Sequence, residues 1–357
     1  MQQSIDLSKG GLVTPAALGY YFPAEFAPQQ AMWLSWPHKE ESWPGKIQTI
    51  YSPYAQFVKE VALGQEVHIN IADAAMQDFA TLHLVQAGVA MDKIHFHFFP
   101  TNDAWCRDHG PAFLINPKAD IPKVLVKWNY NAWGEKYPPH NLDNQIPVRI
   151  AKELGIPYFT PGIVMEGGSV EFNGNGTLLT SRACLLNPNR NPHLSQAQIE
   201  KFLCDYYGVK HILWVGDGIL GDDTDGHIDD ITRFVNADTV VTVVEERKSD
   251  GNYEILQENL HLLKEMRLED GKQLNVVELP MPSPVIWEGQ RLPASYANFY
   301  IANEVVVVPT FRDKNDQKAL DILEECFPSR RVIGIDSTDI IWGLGSFHCL
   351  SQQEPAV

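Results

Sequence analysis

One segment near the C-terminus combines a possible nucleophile with an unusual backbone composition. The segment IIWGLGSFHCLSQQ, residues 340–353, sets Cys349 among glycines and small residues, and glycine allows a backbone to approach a ligand closely. A cysteine in such a place can add to an electrophilic carbon. Taken alone, an isolated cysteine is more often a small buried apolar residue. The neighbouring His348 is a poor partner, because adjacent residues of an extended strand point to opposite faces.

A second segment, TDGHIDD, places His227 and Asp229 two residues apart. If it enters the following strand in extended form, the two side chains fall on one face, which sets a base beside an acid. Calcium is a weaker interpretation, because an EF-hand needs Asp first and Glu twelfth where this run has Gly221 and Thr232. A zinc site on His227 needs more His or Cys ligands nearby than the sequence provides. The remaining alternative is a buried structural hydrogen bond between the two side chains.

A repeated pattern predicts how these residues are positioned. An apolar run, an Asn-centred turn and a second apolar run recur around Asn116, Asn173, Asn236 and Asn303, at intervals of about sixty residues. Helical patterns lie between the hairpins, and three of them are QTIYSPYAQFVKEVALG, SQAQIEKFLCDYYG and NYEILQENLHLLKEMR. Ser195 and Gly208 predict the start and the end of the second helix. Each unit is therefore mixed α/β, and about five such units favour radial closure into one domain spanning 1–357.

Acidic residues occupy the same position, or nearly so, in successive repeat units, and this phase of the repeat carries the functional prediction. Asp108, Glu166 and Asp229 each precede the turn asparagine of their unit by seven or eight residues. In a radial fold, matching positions converge on the axis, so we expect these polar residues to form an active site and not a solvated surface.

Composition narrows the class of protein. The chain has 357 residues, is 44% hydrophobic, and has a net charge of −17, which disfavours nucleic acid and anionic membranes as partners and favours small cations. Five scattered cysteines without a C-x-x-C pair argue against a disulfide framework. The N-terminal MQQSIDLSKGG has no leader-like pattern, and no long apolar run occurs, so we expect a cytoplasmic protein. A homo-oligomer remains open.

Six stretches together resemble the agmatine deiminases of the bacterial peptidylarginine-deiminase-like group, and the resemblance covers nearly the whole chain. They are FPAEFAPQQAMWLSWPHKEESWPG, NDAWCRDHGPAF, MEGGSVEFNGNGTLLTS, GDDTDGHIDDITRFVNADTVV, ASYANFYIANEVVVVPTF and GSFHCLSQQEP. The resemblance implies the pentein fold, a five-bladed α/β-propeller with pseudo-fivefold repeat. This chain departs from the family pattern at GLGS, residues 343–346, where a GGG(N/S) segment is usual. It also differs at Cys106 and His109, which flank Arg107 and Asp108.

The resemblance also implies the role of each site residue. Cys349 would be the nucleophile, His227 the general acid and base, and Glu166 the partner that orients His227. Asp108 and Asp229 would grip the guanidinium, and two more residues, Trp105 and Arg107, are candidate substrate-binding residues. The implied reaction proceeds through a thiouronium intermediate and needs no metal or organic cofactor.

Agmatine is the substrate favoured by the resemblance, with N-carbamoylputrescine and ammonia as products. Peptidyl-arginine and free arginine are alternatives within the same chemistry, and an amidinotransferase would pass the same intermediate to an amine. From a different class, a non-catalytic propeller could serve as a binding module, but such a module does not need the set of Cys349, His227 and Glu166.

Overall fold

Five small sheets of one design dominate the computed structural model, which describes residues 13–357. In each sheet the first strand runs antiparallel to the second, and the second runs parallel to the third. The strands are β1 Gln29–Ser35, β2 Glu66–Asn70, β3 Ile94–His97, β4 Ala112–Ile115, β5 Lys123–Val126, β6 Tyr158–Phe159, β7 Val170–Phe172, β8 Thr177–Ser181, β9 His211–Val215, β10 Thr232–Phe234, β11 Thr239–Val244, β12 Asn275–Pro280, β13 Ile286–Trp287, β14 Gln290–Arg291, β15 Tyr300–Ile301, β16 Val305–Thr310, β17 Arg331–Asp336 and β18 Ser351–Pro355.

Helices connect the second and third strand of each sheet, as parallel pairing requires. The helices are α1 Ile47–Ala62, α2 Ala74–Ala87, α3 Cys106–His109, the irregular turn α4 Ala132–Glu135, α5 Ile146–Leu154, α6 Arg182–Leu185, α7 Gln196–Tyr207, α8 Tyr253–Glu265, α9 Asp316–Cys326 and α10 Phe347–Leu350. Within residues 13–357, none of them combines the length and the apolar character needed to cross a membrane.

The predicted hairpins and helices are confirmed. The four repeated asparagines lie in or beside the turns of β4–β5, β7–β8, β10–β11 and β15–β16, all antiparallel pairs. The three helical patterns correspond to α1, α7 and α8. Ser195 caps α7 in a reciprocal capping box with Gln198, and Gly208 ends it in the left-handed region at φ 70°.

Apolar side chains fill the layers between the sheets and their helices. Val305–Val308 of β16 are fully buried on both faces, which accounts for a continuous apolar run instead of alternation. The β-branched side chains of such a run favour the pleated backbone. Short strands buried on both faces leave little freedom at their ends, so the turns that enter them are held firmly.

The fifth sheet joins the two ends of the chain. Its order is β18-β1-β2-β3, and β18 pairs antiparallel with β1. Trp33 Nε1 donates to Glu354 Oε2 across this pair at 2.8 Å. The sequence expectation about a leader rests on residues 1–11, which lie outside the described residues.

Candidate active site

The candidate site is assembled from short turns that immediately precede the first strand of four of the five sheets. These turns are α3 before β4, a 3₁₀ turn at Gly167–Ser169 before β7, another at Ile228–Asp230 before β10, and α10 before β18. The matching phase found in the sequence therefore corresponds to matching positions in the fold. It brings Asp108, His227, Asp229 and Cys349 into one buried cluster.

The turns themselves differ from the sequence expectation. Residues 228–230 form a 3₁₀ turn and not an extended strand, because Ile231 N–H bonds back to Ile228 O at 2.9 Å. His227 and Asp229 still meet, with Nδ1 and Oδ1 4.0 Å apart. His348 and Cys349 likewise lie in the helical turn α10, so the argument from strand alternation does not apply to them.

Cys349 is 4% exposed and faces carboxylates. Its Sγ lies 3.6 Å from Asp229 Oδ2, and Asn298 Nδ2 donates to it at 2.9 Å. Burial raises the pKa of the Cys349 thiol well above its usual value, and the carboxylates of Asp229, Asp230 and Asp108 raise it further. The free thiol is therefore protonated at neutral pH.

Asp108 is held by two donors, one from its own unit and one from the next unit along the chain. Gly168 N–H donates to its Oδ1 and Trp133 Nε1 donates to its Oδ2, both at 3.0 Å. Trp133 lies in the left-handed region at φ 58°, a strained conformation of a kind that recurs at functional sites. Burial raises the pKa of Asp108 to about 6, against the opposing charge of His227. Each carboxylate oxygen retains a second lone pair for a ligand.

Asp229 offers the clearest acceptor for a ligand donor. Its Oδ2 is bound by His348 Nδ1 at 2.6 Å, whereas its Oδ1 is buried and without a hydrogen-bond donor in the described chain. A buried acceptor without a donor is costly. A ligand N–H group would satisfy it.

His227 is fully buried and its charge is set by the same carboxylates. Its Nδ1 lies 3.7 Å from Asp108 Oδ1. Burial lowers the pKa of His227, but the charge of Asp108, the neighbouring Cys184 and the charge of Asp229 together outweigh burial, so the pKa lies well above its usual value. The ring is therefore an imidazolium that can donate a proton.

Glu166 lies near His227 without a hydrogen bond to it. A Glu166 carboxylate oxygen, a His227 ring nitrogen and Cys184 Sγ all lie within 4.8 Å of one another. Glu166 Oε1 accepts from Arg190 Nε at 2.6 Å, while Oε2 has no hydrogen-bond partner in the described residues. Carboxylate, imidazole and thiol are also metal-ligand types.

The acidic run before His227 acts as a scaffold. The Asp222 side chain accepts from the backbone N–H groups of Thr224, Gly226 and His227 at 2.8, 2.9 and 3.0 Å. Asp225 pairs with Arg190 at 2.5 Å. These carboxylates fix the loop that carries His227. This structural role accounts for the number of acidic residues in the run.

Behind the cluster lies a buried network of charges. His348 lies between Asp229 and Glu25, at 2.6 and 2.7 Å. Glu25 also pairs with Arg107 at 3.1 Å and with Arg233 at 3.0 Å. Burial raises the pKa of Glu25, but the three cationic partners bring it far below its usual value. Glu25 is thus an anion that fixes His348.

The cavity in front of Cys349 has a volume of about 280 Å³ and aromatic walls. Its walls include Cys349, Asp108 and five aromatic residues, Trp105, Trp133, Tyr137, Trp287 and Trp342. Of the two candidate substrate-binding residues, Trp105 lines this cavity. The guanidinium of Arg107 instead bonds Glu25, Gln353 and the His348 carbonyl, so the structure does not bring Arg107 to the cavity wall.

The cavity carries little positive charge. The one cationic side chain among its lining residues in the described chain is Lys39, and it lies 3.4 Å from Asp103 Oδ2. Glu41 and Asp223 also line the cavity. The cavity suits a slender cation with an apolar middle.

Sequence reasoning missed Asn298, Asp230, Trp133 and Glu25. Asn298 Nδ2 bridges Asp230 Oδ1 and Cys349 Sγ, both at 2.9 Å. A signal for Asn298 existed, since it precedes β15 in the fourth repeat. Glu25 had none, because its contacts to His348 span 323 residues.

Known proteins resemble this chain over nearly its full length. The family model for the Porphyromonas-type peptidyl-arginine deiminase matches residues 21–355. A Legionella pneumophila protein provisionally named an agmatine deiminase is 38% identical over 343 residues, which is 96% of this chain and 97% of that protein.

Solved structures agree in fold. The agmatine deiminase of Enterococcus faecalis superimposes with a TM-score of 0.90 at 30% identity, covering 99% of both chains. A single-residue variant of the C. jejuni agmatine deiminase, solved with substrate bound, gives 0.85 at 32% identity, covering 94% of this chain and 96% of that one. An amidinotransferase from Microseira wollei, 12% identical with a TM-score of 0.50 over 92% and 95% of the chains, shares the α/β pentein fold.

Proposed function

Because the chain belongs to the Porphyromonas-type peptidyl-arginine deiminase family, we propose that it hydrolyses the guanidinium of agmatine to N-carbamoylputrescine and ammonia. The observation that carries the proposal is the cluster of Cys349, Asp108, Asp229 and the His227 imidazolium beside an aromatic cavity. A guanidinium is planar and donates paired hydrogen bonds to carboxylates. Asp229 Oδ1 and the lone pairs of Asp108 are the acceptors.

The bound cation first activates the nucleophile. Its positive charge offsets the carboxylates that hold the Cys349 thiol protonated, so the thiol releases its proton to solvent and the thiolate becomes accessible. The thiolate forms an S–C bond to the central guanidinium carbon and gives a tetrahedral adduct. His227 then donates a proton to one terminal nitrogen, whose C–N bond breaks, and ammonia departs.

Water completes the turnover. The thiouronium that remains on Cys349 is attacked by a water molecule, and the now neutral His227 accepts the proton of that water. The C–S bond breaks, the ureido product leaves, and the thiol is restored. Glu166 acts as the orienting partner of His227. Two observations support this role: a Glu166 carboxylate oxygen lies within 4.8 Å of a His227 ring nitrogen, and Glu166 Oε2 has no hydrogen-bond partner in the described residues.

The lining of the cavity supports agmatine over free arginine. An arginine carboxylate would meet Glu41 and Asp223, and Lys39 is already paired with Asp103. Repulsion of an unpaired carboxylate of this kind costs several kcal/mol. The aromatic walls can instead enclose the methylene chain and favour its terminal ammonium.

We further propose one catalytic domain that acts in the cytoplasm, with the five sheets closed as blades of a five-bladed propeller. The pairing of β18 with β1 and the common strand order support this closure. The net charge of −17 supports a small cation as the partner over nucleic acid or an anionic membrane.

The test is an ammonia-release assay with agmatine, free arginine and an arginine peptide blocked at both ends. We expect kcat/KM for agmatine to exceed that for arginine by about a hundredfold or more, and we expect no turnover of the peptide. If kcat/KM is comparable for agmatine and arginine, or is highest for the peptide, then agmatine is not the preferred substrate and the proposal is wrong.

A further inference from the structure

A second groove, with a volume of about 530 Å³, lies away from the active-site cavity, beside β5 and α5. Four basic side chains line it, Lys127, His140, Arg149 and Lys152, and no Asp or Glu is among its lining residues in the described chain. The whole sequence has 45 acidic and 28 basic residues. The groove is therefore a local reversal of charge on an acidic protein.

Three of these basic side chains, Lys127, Arg149 and Lys152, have no carboxylate partner in the described residues. In residues 13–357, Arg149 and Lys152 form no ion pair, although they stand three positions apart on α5, where like charges repel. Lys127 Nζ donates to the neutral Asn129 Oδ1 at 2.8 Å. Burial lowers the pKa of Lys127, which indicates a cation whose environment does not compensate its charge.

The remaining groups of the groove are hydrogen-bonding groups with free capacity. Asn141 and Gln145 make no side-chain hydrogen bond in the described chain, and Asn144 uses its Oδ1 for Tyr130 N–H at 3.3 Å. His140 Nε2 lies 3.1 Å from Glu135, and its Nδ1 is buried without a partner in the described residues. Glu135 is thus an acid beside the groove that is already paired.

We propose that this groove binds a small phosphate-bearing anion. An Arg guanidinium binds phosphate oxygens through two parallel hydrogen bonds, lysine ammonium groups add charge, and the amides can donate to the remaining oxygens. The volume exceeds that of one phosphate and falls in the range of small-molecule sites. The chain as a whole has a net charge of −17, which disfavours an extended polyanion such as nucleic acid.

The test is calorimetric titration of the full-length protein with pyrophosphate at constant ionic strength. We expect saturable one-to-one binding that Arg149→Gln/Lys152→Gln weakens by about tenfold or more. Lys118→Gln, which removes an exposed lysine outside the groove, is the matched control and should leave the dissociation constant unchanged. A saturating dose of agmatine should not displace pyrophosphate.

The proposal would be overturned by the absence of saturable binding, by an unchanged dissociation constant in the double variant, or by displacement of pyrophosphate by agmatine. Thermal unfolding of both variants shows whether the fold is kept, and Lys127→Gln serves as a second groove variant if the double variant fails to fold. The protein could instead bind phosphatidylserine vesicles and not pyrophosphate. If the double variant loses that vesicle binding, the groove is a membrane-binding surface, which would also overturn the proposal.

Discussion

The ring of His348 holds Asp229 in its working position, with Nδ1 and Oδ2 2.6 Å apart and both residues buried. Because Nε2 of the same ring lies 2.7 Å from Glu25, His348 can neither rotate nor retreat. His348 is thus a positioning residue for Asp229, the carboxylate that faces Cys349, and not a proton donor to Cys349.

Replacing His348 should therefore weaken substrate binding more than it slows the chemistry. In His348→Gln, Asp229 loses a charged partner, and its pKa, which His348 lowers, should rise. We expect KM for agmatine to increase by about tenfold to a hundredfold, with a smaller loss in kcat, measured by steady-state kinetics. His95→Gln, which breaks an exposed pair with Glu66, is the control and should change neither constant. A loss of kcat in His348→Gln with an unchanged KM would argue against the positioning role.

Cys349→Ser should abolish ammonia release while leaving the fold intact, because a serine hydroxyl is far less nucleophilic than a thiolate near neutral pH. Activity is measured with agmatine, and folding by circular dichroism and thermal unfolding. Cys204→Ser, on α7, is the matched control and should keep normal activity. Substantial turnover by Cys349→Ser would rule out covalent catalysis.

Two alkylating reagents test how Cys349 is activated. The high pKa of the free thiol predicts that a cationic haloacetamidine inactivates the enzyme much faster than neutral iodoacetamide near neutral pH, since only the cation offsets the surrounding carboxylates. This advantage should fall sharply in Asp108→Asn and in Asp229→Asn. If iodoacetamide reacts as fast at neutral as at high pH, Cys349 is already a thiolate, paired with His227.

Gly168 is expected to tolerate no side chain. A Cβ there would lie 2.5 Å from His227 Nδ1, 2.9 Å from Asp108 Oδ1 and 3.1 Å from Asp229 Oδ2, so three site residues would have to move. Gly168→Ala should lower kcat/KM by about a hundredfold or more, since small displacements of this kind are costly to catalysis. Gly216→Ala, whose Cβ would come within 3.3 Å only of Asn259 Oδ1, is the control. Normal kinetics in Gly168→Ala would contradict the close packing at this site.

The pH profile of kcat/KM should report the ionisation of Asp108. Burial raises its pKa to about 6, and the protonated carboxyl cannot pair with a guanidinium, so kcat/KM should fall as pH drops below about 6. Trp133→Phe removes a donor to the carboxylate and should move this limb to higher pH. Trp214→Phe, which removes an indole donor to Glu200, should leave the limb in place. If Trp133→Phe does not move the acidic limb of the profile, that limb reports the ionisation of a group other than Asp108.

The repeat made much of the fold and part of the site predictable. Hairpin turns and helix caps are local, so Asn173 and Ser195 identify them directly, and the phase of the repeat identified Asp108 and Asp229. The 3₁₀ turn at 228–230 was not predictable from alternation, because Asp222 imposes the loop conformation from outside the strand. The contacts of Glu25 were not predictable either, since they depend on segments that only tertiary packing brings together.

The pairing of β18 with β1 also has a consequence for the growing polypeptide. The hydrogen bond between Trp33 and Glu354 spans 321 residues, and Cys349 lies two positions before β18. A chain leaving the ribosome from its N-terminus cannot complete this sheet or fix Cys349 until its last strand has emerged. Catalytic competence is therefore acquired in a single final step, and a nascent or C-terminally truncated chain remains inactive.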